Sequence, residues 1–177
     1  MNEGFQRHVV SPFAPNLASG LHLACELGIG ELFGRLLAVD DPTTRERMVR
    51  RQDSMRHTPL HLAVISGQMP IIKVLLEAGA LCNAVSIINA SPFHLAVLLS
   101  RHEIAMAILD KAADKAELAN TATVSSDQAS TAYTELRFPI FKGVITPLEP
   151  KVWLNVHGRT ALITAARNNN VDMVRAL

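Results

Sequence analysis

The sequence has few residues of the kinds that mark several familiar classes of protein. It contains two cysteines, one tryptophan and one tyrosine in 177 residues, and its formal net charge at pH 7 is +1. Cys25 and Cys82 lack a metal-binding spacing such as Cys-x-x-Cys, so we expect buried, reduced thiols, which fit an intracellular protein. A balanced charge gives no general attraction to nucleic acid or anionic membranes, and we expect neither as a partner.

Long apolar runs are also missing. Although 49% of the residues are hydrophobic, no run reaches the length needed to span a bilayer, and the first residues lack the apolar core of a signal peptide. This composition predicts a soluble intracellular chain, cytoplasmic or nuclear, with a sizeable core and no membrane insertion.

Residues 53–84 contain a complete helix-turn-helix unit with its own start and stop signals. Thr58 can cap a helix, and Pro59 suits the first helical position, where a missing N–H costs nothing. Gly67 and Gly79 can end the two helices in the left-handed conformation that other residues avoid. Apolar residues recur at helical spacing between these signals, which predicts two short amphipathic helices.

The same pattern recurs three more times. Ser91 opens a matching segment 33 residues after Thr58, Ser19 opens one upstream, and Thr160 opens one downstream. Asn169 stands at the turn position of the last segment, where asparagine is the next most tolerant residue after glycine. A helix pair cannot bury its apolar faces alone, so the recurrence predicts a stack of four units.

The segment Thr58-Pro59-Leu60-His61-x-Ala63 matches the T-P-L-H-x-A signature, and on this motif the chain resembles the ankyrin-repeat family. The resemblance implies an all-α solenoid of helix pairs linked by β-hairpin fingers. We expect an irregular arm at residues 1–18, and then an ankyrin-repeat domain at 19–177 with repeats near 19–40, 53–84, 86–118 and 155–177.

Three histidines, His22, His61 and His94, occupy one motif position in successive repeats. The resemblance implies that each hydrogen-bonds the opening serine or threonine and nearby backbone, a structural role rather than metal ligation. No nucleophile, base and orienting residue can be assembled from the cysteines and histidines. We therefore expect no catalytic residue, metal or cofactor within this chain.

The linker between the first two repeats is longer than the pattern requires. His22 and His61 are 39 residues apart, against 33 for His61 and His94. Asp41 and Glu46 resemble helix-start residues, so the six extra residues are expected to lengthen a helix or a finger through about residue 49.

The same linker is rich in arginine. A solvated surface is the favoured interpretation, and the alternative is a site for phosphate or an acidic partner, with nucleic-acid binding ranked last among the functions. The five side chains are Arg45, Arg47, Arg50, Arg51 and Arg56.

Repeat three lacks a closing glycine, so its second helix is predicted to extend to about Leu118. Ser91 and Thr160 are 69 residues apart, which is 36 more than one repeat, and no second motif start lies between them. We predict an insertion at 119–154 that carries a β-hairpin, with its turn either at 142–143 or at 147–150. A heavily degenerate repeat is the alternative.

Partner binding is the predicted function. In the family that the chain resembles, the fingers and the concave face of the first helices hold a partner protein, and apolar residues here occupy both places. Contiguous exposed apolar surface marks interaction sites, and aromatic residues are enriched among interface hot spots. The candidates are Ile65, Leu98 and Leu99 on the concave face, Ile87 and Ile88 in a finger, and Tyr133, Phe138, Phe141 and Trp153 in the insertion.

Two alternatives stay open for these residues and for the protein. The candidate side chains could pack within the solenoid itself. The module, expected to be monomeric, could also be the targeting or substrate-recruiting part of a larger enzyme or of a bacterial effector secreted into a host cell. Leu177 aligns with Leu75 in the middle of a helix, so we expect a longer protein with a catalytic domain beyond Leu177 in that case.

Asn83 follows the second helix of repeat two, like the asparagine that asparaginyl hydroxylases modify in some ankyrin repeats. It is therefore a possible hydroxylation site, although Leu81 replaces the usual acidic residue two places earlier.

Overall fold

The computed structural model describes residues 19–87, 89–122 and 160–176, and within them the chain forms ten helices and no strand. The predicted arm at 1–18 and residues 123–154 of the predicted insertion lie outside the described residues. The helices are α1 (Gly20–Leu27), α2 (Gly30–Leu37), α3 (Pro42–Arg50), α4 (Pro59–Ser66), α5 (Met69–Glu77), α6 (Pro92–Leu98), α7 (His102–Lys111), α8 (Lys115–Asn120), α9 (Ala161–Arg167) and α10 (Val171–Ala176).

Four helix pairs stack on one another in chain order. The first helices α1, α4, α6 and α9 contact each other in that sequence, and α5 packs against α7. Because α9 packs directly on α6, the fourth pair follows the third in space despite the long segment between them. A fully buried alanine at the same place in each first helix permits this close approach: Ala24, Ala63, Ala96 and Ala165.

Each first helix begins at a serine or threonine with extended backbone. We call this residue position 0 of its repeat, and it is Ser19, Thr58, Ser91 or Thr160. Their hydroxyls can accept from the free N–H groups of the first turn, which apolar residues cannot do.

Each first helix ends at position 9 in a left-handed residue. Gly28 and Gly67 have φ of 68° and 78°, and Ser100 and Asn169 have φ of 55° and 53°. Asn169 thus adopts the conformation that its alignment with Gly67 predicts, whereas Ser100 was not expected there. The N–H of the next residue then donates to the carbonyl of position 5, as from Gln68 to Ala63 at 3.0 Å, which satisfies the end of the helix.

The fingers that enter repeats two and three are tight turns. Asp53 N donates to His57 O at 2.9 Å, and Ser86 N donates to Ala90 O at 3.0 Å in the equivalent place. Ile87 N donates to Met55 O at 2.9 Å and joins the two turns. In their described parts neither finger contains a strand, so both are turns rather than the β-hairpins that the resemblance implies, because too few hydrogen bonds cross each finger to make a ladder.

The six extra residues between repeats one and two form part of a separate helix, α3. The Asp41 carboxylate accepts from Thr43 N at 3.2 Å and from Thr44 N at 3.0 Å, and Pro42 fills the first helical position. Hydrogen bonds from the hydroxyls of Thr44 and Thr43 hold the pKa of Asp41 at about 2. Val49 is buried and anchors the helix to the core.

The predicted continuation of the repeat-three helix to Leu118 is wrong. α7 ends at Lys111, Ala112 is extended, and α8 begins only after Asp114, whose Oδ1 accepts from Glu117 N at 2.8 Å. The break lets α8 turn back against α9 and bury Leu118 in the core. Burial therefore outweighs the helix propensity of the alanines and lysines that favoured a continuous helix.

No helix in the three described ranges is long and apolar enough to cross a membrane.

Candidate partner-binding surface

Two of the motif histidines, His22 and His61, connect their repeat to the next. His61 Nδ1 lies 3.0 Å from Thr58 N and 2.9 Å from Thr58 Oγ1, while its Nε2 lies 3.1 Å from Ala90 O in the following finger. In the preceding repeat, His22 Nε2 lies 3.1 Å from His57 O in the same relation. These two imidazoles therefore link neighbouring repeats by hydrogen bonds.

These contacts determine which nitrogen carries the proton. The backbone N–H groups of Ser19 and Thr58 can only donate, so Nδ1 of His22 and of His61 must accept and be unprotonated. Nε2 then carries the hydrogen and donates to the carbonyl of the next finger. A second proton on Nδ1 would face an N–H donor, so the arrangement requires neutral rings.

Burial also favours the neutral form of the three motif histidines, because it lowers their pKa values. It lowers the pKa of His22, lowers that of His61 well below its usual range, and lowers that of His94 to about 4. The charged groups around His22 are Asp53, His57 and Arg51, of which only Asp53 raises its pKa. The rings are structural and are poorly suited to exchange protons near neutral pH.

Polar side chains at positions 8 and 10 tie each repeat to the one before it. Ser66 Oγ donates to Cys25 O at 2.8 Å, and Arg101 Nη2 donates to Ile65 O at 2.9 Å. Asn168 Nδ2 donates to Val97 O at 3.3 Å, across the long segment between repeats three and four. Sequence reasoning missed this role, because it assigned position 8 to partner contact.

Position 7 forms a row along the first helices. Its residues are Glu26, Ile65, Leu98 and Arg167, in chain order. Ile65 and Leu98 are half-buried and pack at the edge of the core. Burial and the nearby Asp53 carboxylate raise the pKa of Glu26, against the opposite effect of His57. The row therefore runs from an acidic group through an apolar centre to a basic one.

The other candidates differ in their surroundings. Leu99 is half-buried, and Ile87 is half-buried in the finger, where it packs against the core. Ile88 and the aromatic candidates Tyr133, Phe138, Phe141 and Trp153 lie outside the described residues. The structure thus brings together only Ile65 and Leu98 from the predicted set, and the assignment of these residues to partner binding stays a prediction.

Asn83 is exposed after α5, and its Nδ2 lies 3.4 Å from Glu117 Oε2 on α8. The side chain is accessible, and hydroxylation at this position stays a prediction.

The arginine-rich linker is not one uniform basic patch. Arg45 donates to Val39 O, and Arg50 donates to Gly79 O at 3.1 Å and pairs with Glu46. Arg50 thereby satisfies a carbonyl at the end of α5, where a cation also complements the helix dipole. These two guanidinium groups make contacts within the protein, which weakens the nucleic-acid interpretation.

The thiols have no features of catalytic groups. Burial raises the pKa of Cys25 to about 12 and also raises that of Cys82, so both are protonated near neutral pH. Across the described ranges, no three histidine, cysteine, aspartate or glutamate residues come together in a way that could hold a metal ion.

Sequence reasoning also missed exposed apolar side chains at the two ends of the stack. The signal was available for Leu32, Leu162, Ile163 and Val174, because they occupy repeat positions that are buried in the interior repeats. They are Leu27, Ile29 and Leu32 in repeat one, and Leu162, Ile163 and Val174 in repeat four.

Comparison with known proteins identifies what the stack is similar to. A family model described as ankyrin repeats, in three copies, matches residues 21–119, and a model of the single ankyrin repeat matches residues 157–177. The nuclear factor NF-kappa-B p105 subunit of Gallus gallus is 30% identical over 182 aligned positions, covering 97% of this chain and 18% of that protein. The subunit of the same name from Rattus norvegicus is 31% identical over 115 positions, covering 65% and 12%. The chain thus spans less than a fifth of the length of either relative.

Proposed function

Because the chain belongs to the ankyrin-repeat family, whose members generally mediate protein–protein interactions, we propose that it binds a partner protein along the position-7 row and through its insertion. The observation that carries this proposal is that the two central side chains of the row, those of Ile65 and Leu98, are half-buried and make none of the hydrogen bonds that join the repeats. Positions 3, 8 and 10 supply the hydrogen bonds between layers, and position 5 supplies the closest packing. The side chains of Ile65 and Leu98 are therefore available to contact a partner.

The chemistry of the row indicates the kind of segment that would fit. Ile65 and Leu98 lie in adjacent layers and offer an apolar centre, while Glu26 and Arg167 place opposite charges at the two ends. A partner segment with apolar side chains flanked by a basic and an acidic group would complement this row. Desolvation of the apolar centre supplies affinity, and the charges fix the orientation.

Replacing Ile65 and Leu98 together with serine should weaken binding of the partner at least about tenfold, because two half-buried aliphatic contacts are lost. The partner is first identified by affinity capture with the full chain, and its Kd is then measured for each variant. The matched control is Val74→Ser with Met106→Ser, which removes two exposed apolar side chains from α5 and α7. If both double variants bind equally well once their folded fractions are equal, position 7 is not the binding surface.

The insertion is tested separately by replacing residues 123–154 with a Gly/Ser linker. The helical stack should survive this deletion, because α8 and α9 pack against each other and hold the two ends of the deleted segment together. Loss of binding with an unchanged circular dichroism spectrum is the expected result. Unaltered affinity would show that the insertion, with Phe138, Phe141 and Trp153, takes no part in recognition.

A further inference from the structure

The fingers that enter repeats two and three have the same backbone but different residues at their tips. In finger two (residues 53–57) Arg56 N donates to Asp53 O at 3.0 Å, and in finger three (residues 86–90) Asn89 N donates to Ser86 O at 2.9 Å. Arg56 and Asn89 both adopt the left-handed conformation, with φ of 58° and 57°. The two fingers therefore allow a direct comparison of the side chains at one backbone position.

The left-handed conformation favours asparagine over arginine at this position. A residue with a β-carbon incurs a steric cost at positive φ, and asparagine tolerates it best because of its short polar side chain. The Asn89 side chain also contributes to the fold, since its Nδ2 donates to Ala122 O at 2.6 Å. Arg56 is exposed, and its side chain has no hydrogen-bond or ion-pair partner within the described part of the chain. Neither the backbone nor the fold thus accounts for an arginine at the tip of finger two.

The positive charge of Arg56 is not balanced on the fingers. Asp53 is the only acidic residue in either finger, and its carboxylate is buried, where Oδ1 accepts from Met55 N at 2.9 Å and from His57 N at 2.7 Å. Ser54 stands two residues before Arg56 at the same tip, and its hydroxyl has no hydrogen-bond partner among the described residues. The tip thus offers hydrogen-bond donors and a positive charge, with no exposed carboxylate to compete for them.

We propose that the tip of finger two binds a carboxylate of an acidic partner segment, with Arg56 as the principal contact. The planar guanidinium can donate two parallel hydrogen bonds to one carboxylate, and the Ser54 hydroxyl can donate another. Finger three carries no charge at its tip, so the carboxylate is recognised at finger two alone. A residue held in an unfavourable conformation without a structural role is typical of binding sites. The contact lies outside the position-7 row and is additional to the proposed function.

The proposal is tested with hexaglutamate whose ends are acetylated and amidated, so that only its side chains are charged. The full chain is labelled with nitrogen-15 and titrated with this peptide at low ionic strength, followed by NMR. We expect saturable shifts of the amides of residues 54–57 and of the Arg56 Nε–H, and much smaller shifts for residues 86–90. Arg56→Gln should weaken the affinity about threefold, as for the loss of one exposed charge pair. Uncharged hexaglutamine should cause no such shifts.

Arg56→Gly and Ser100→Gly form a matched pair. Each removes a β-carbon from a left-handed residue, and only the first removes a charge. Both should raise the unfolding midpoint by about 1–4 °C, whereas only Arg56→Gly should weaken binding of hexaglutamate. A lower midpoint for Arg56→Gly would show that Arg56 supports the fold, and equal affinity of the parent and Arg56→Gln would show that the tip is not the site. Either result overturns the proposal.

A single-stranded DNA oligonucleotide with six phosphates tests the other class of anionic partner. If it shifts the same resonances with at least about tenfold higher affinity than hexaglutamate at equal salt, the tip binds nucleic acid and the proposal is wrong. Comparable or weaker binding of the oligonucleotide supports the acidic segment. None of these outcomes involves position 7, so the test is independent of the proposed function.

Discussion

Lowering the pH from 7.5 to 5.0 should reduce the free energy of unfolding by at least about 2 kcal/mol, because the unfolded chain takes up protons at histidines that stay neutral in the folded state. A histidine with an unfolded pKa of 6.5 and a folded pKa of about 4, as for His94, contributes about 2 kcal/mol over this interval. Burial lowers the pKa of His61 well below its usual range, so this ring adds to the loss in the same direction. His22 adds to the loss in the same direction.

The sign follows from the proton balance. Each folded pKa lies below the unfolded value, so the stabilisation is complete above pH 6.5 and is lost as the pH falls toward the folded pKa. Glu26 acts in the opposite direction, because burial raises its pKa and the folded state takes up a proton earlier. Its effect is expected to be smaller, since the carboxyl group is only partly buried.

Urea denaturation followed by circular dichroism at several pH values measures this loss. His94→Gln is the informative variant, because it removes one titrating ring while retaining hydrogen-bonding capacity at the site. In this variant the unfolding free energy should depend less steeply on pH than in the parent. The difference in slope is at most about 1.4 kcal/mol per pH unit, which is the contribution of one proton. Equal slopes for parent and variant would mean that His94 titrates alike in both states.

The helical repeats could be predicted because their signals are local. Thr58, Pro59 and Gly67 mark where α4 begins and ends, and a serine or threonine at the matching position marks the start of α6 and of α9. The left-handed conformation of Asn169 also followed from its alignment. The local chemistry and the global stack agree in these segments, which is the condition under which sequence patterns are reliable.

The break between α7 and α8 could not be predicted from propensity alone. The residues after Asp110 favour helix, and only the burial of Leu118 against α9 explains why the chain turns at Ala112. A usable signal was nevertheless present. Asp114 followed three residues later by Glu117 is a helix-start pattern, and it competes with continuation of α7.

The candidate surface was only partly predictable for a different reason. The predicted concave-face candidates combined positions 7 and 8, as in Leu98 and Leu99. The structure separates these positions: the side chains of Ser66 and Asn168 at position 8 donate to the preceding repeat, while those of Ile65 and Leu98 at position 7 do not. This distinction depends on which side chains reach the carbonyls of a neighbouring layer. Spacing along one chain does not contain that information.

Replacing Gly67 with alanine should destabilise the protein by about 3 kcal/mol, from two separate causes. Gly67 has φ of 78°, where a Cβ costs about 1–2 kcal/mol. A Cβ would also overlap the guanidinium of Arg101, which donates to Ile65 O across the boundary between repeats two and three. Loss of that charged hydrogen bond adds about 1.5 kcal/mol. Thermal and urea denaturation at pH 7.5 measure the sum.

The two causes separate because position 9 offers matched variants in the same molecule. Ser100 has φ of 55°, so Ser100→Gly relieves only the backbone cost and should stabilise the protein by about 0.5–1 kcal/mol. In an Arg101→Ala background the overlap is absent, so Gly67→Ala should cost only the backbone contribution. If Gly67→Ala costs the same with and without Arg101, the guanidinium moves aside freely, and its bond to Ile65 O does not help to join repeats two and three.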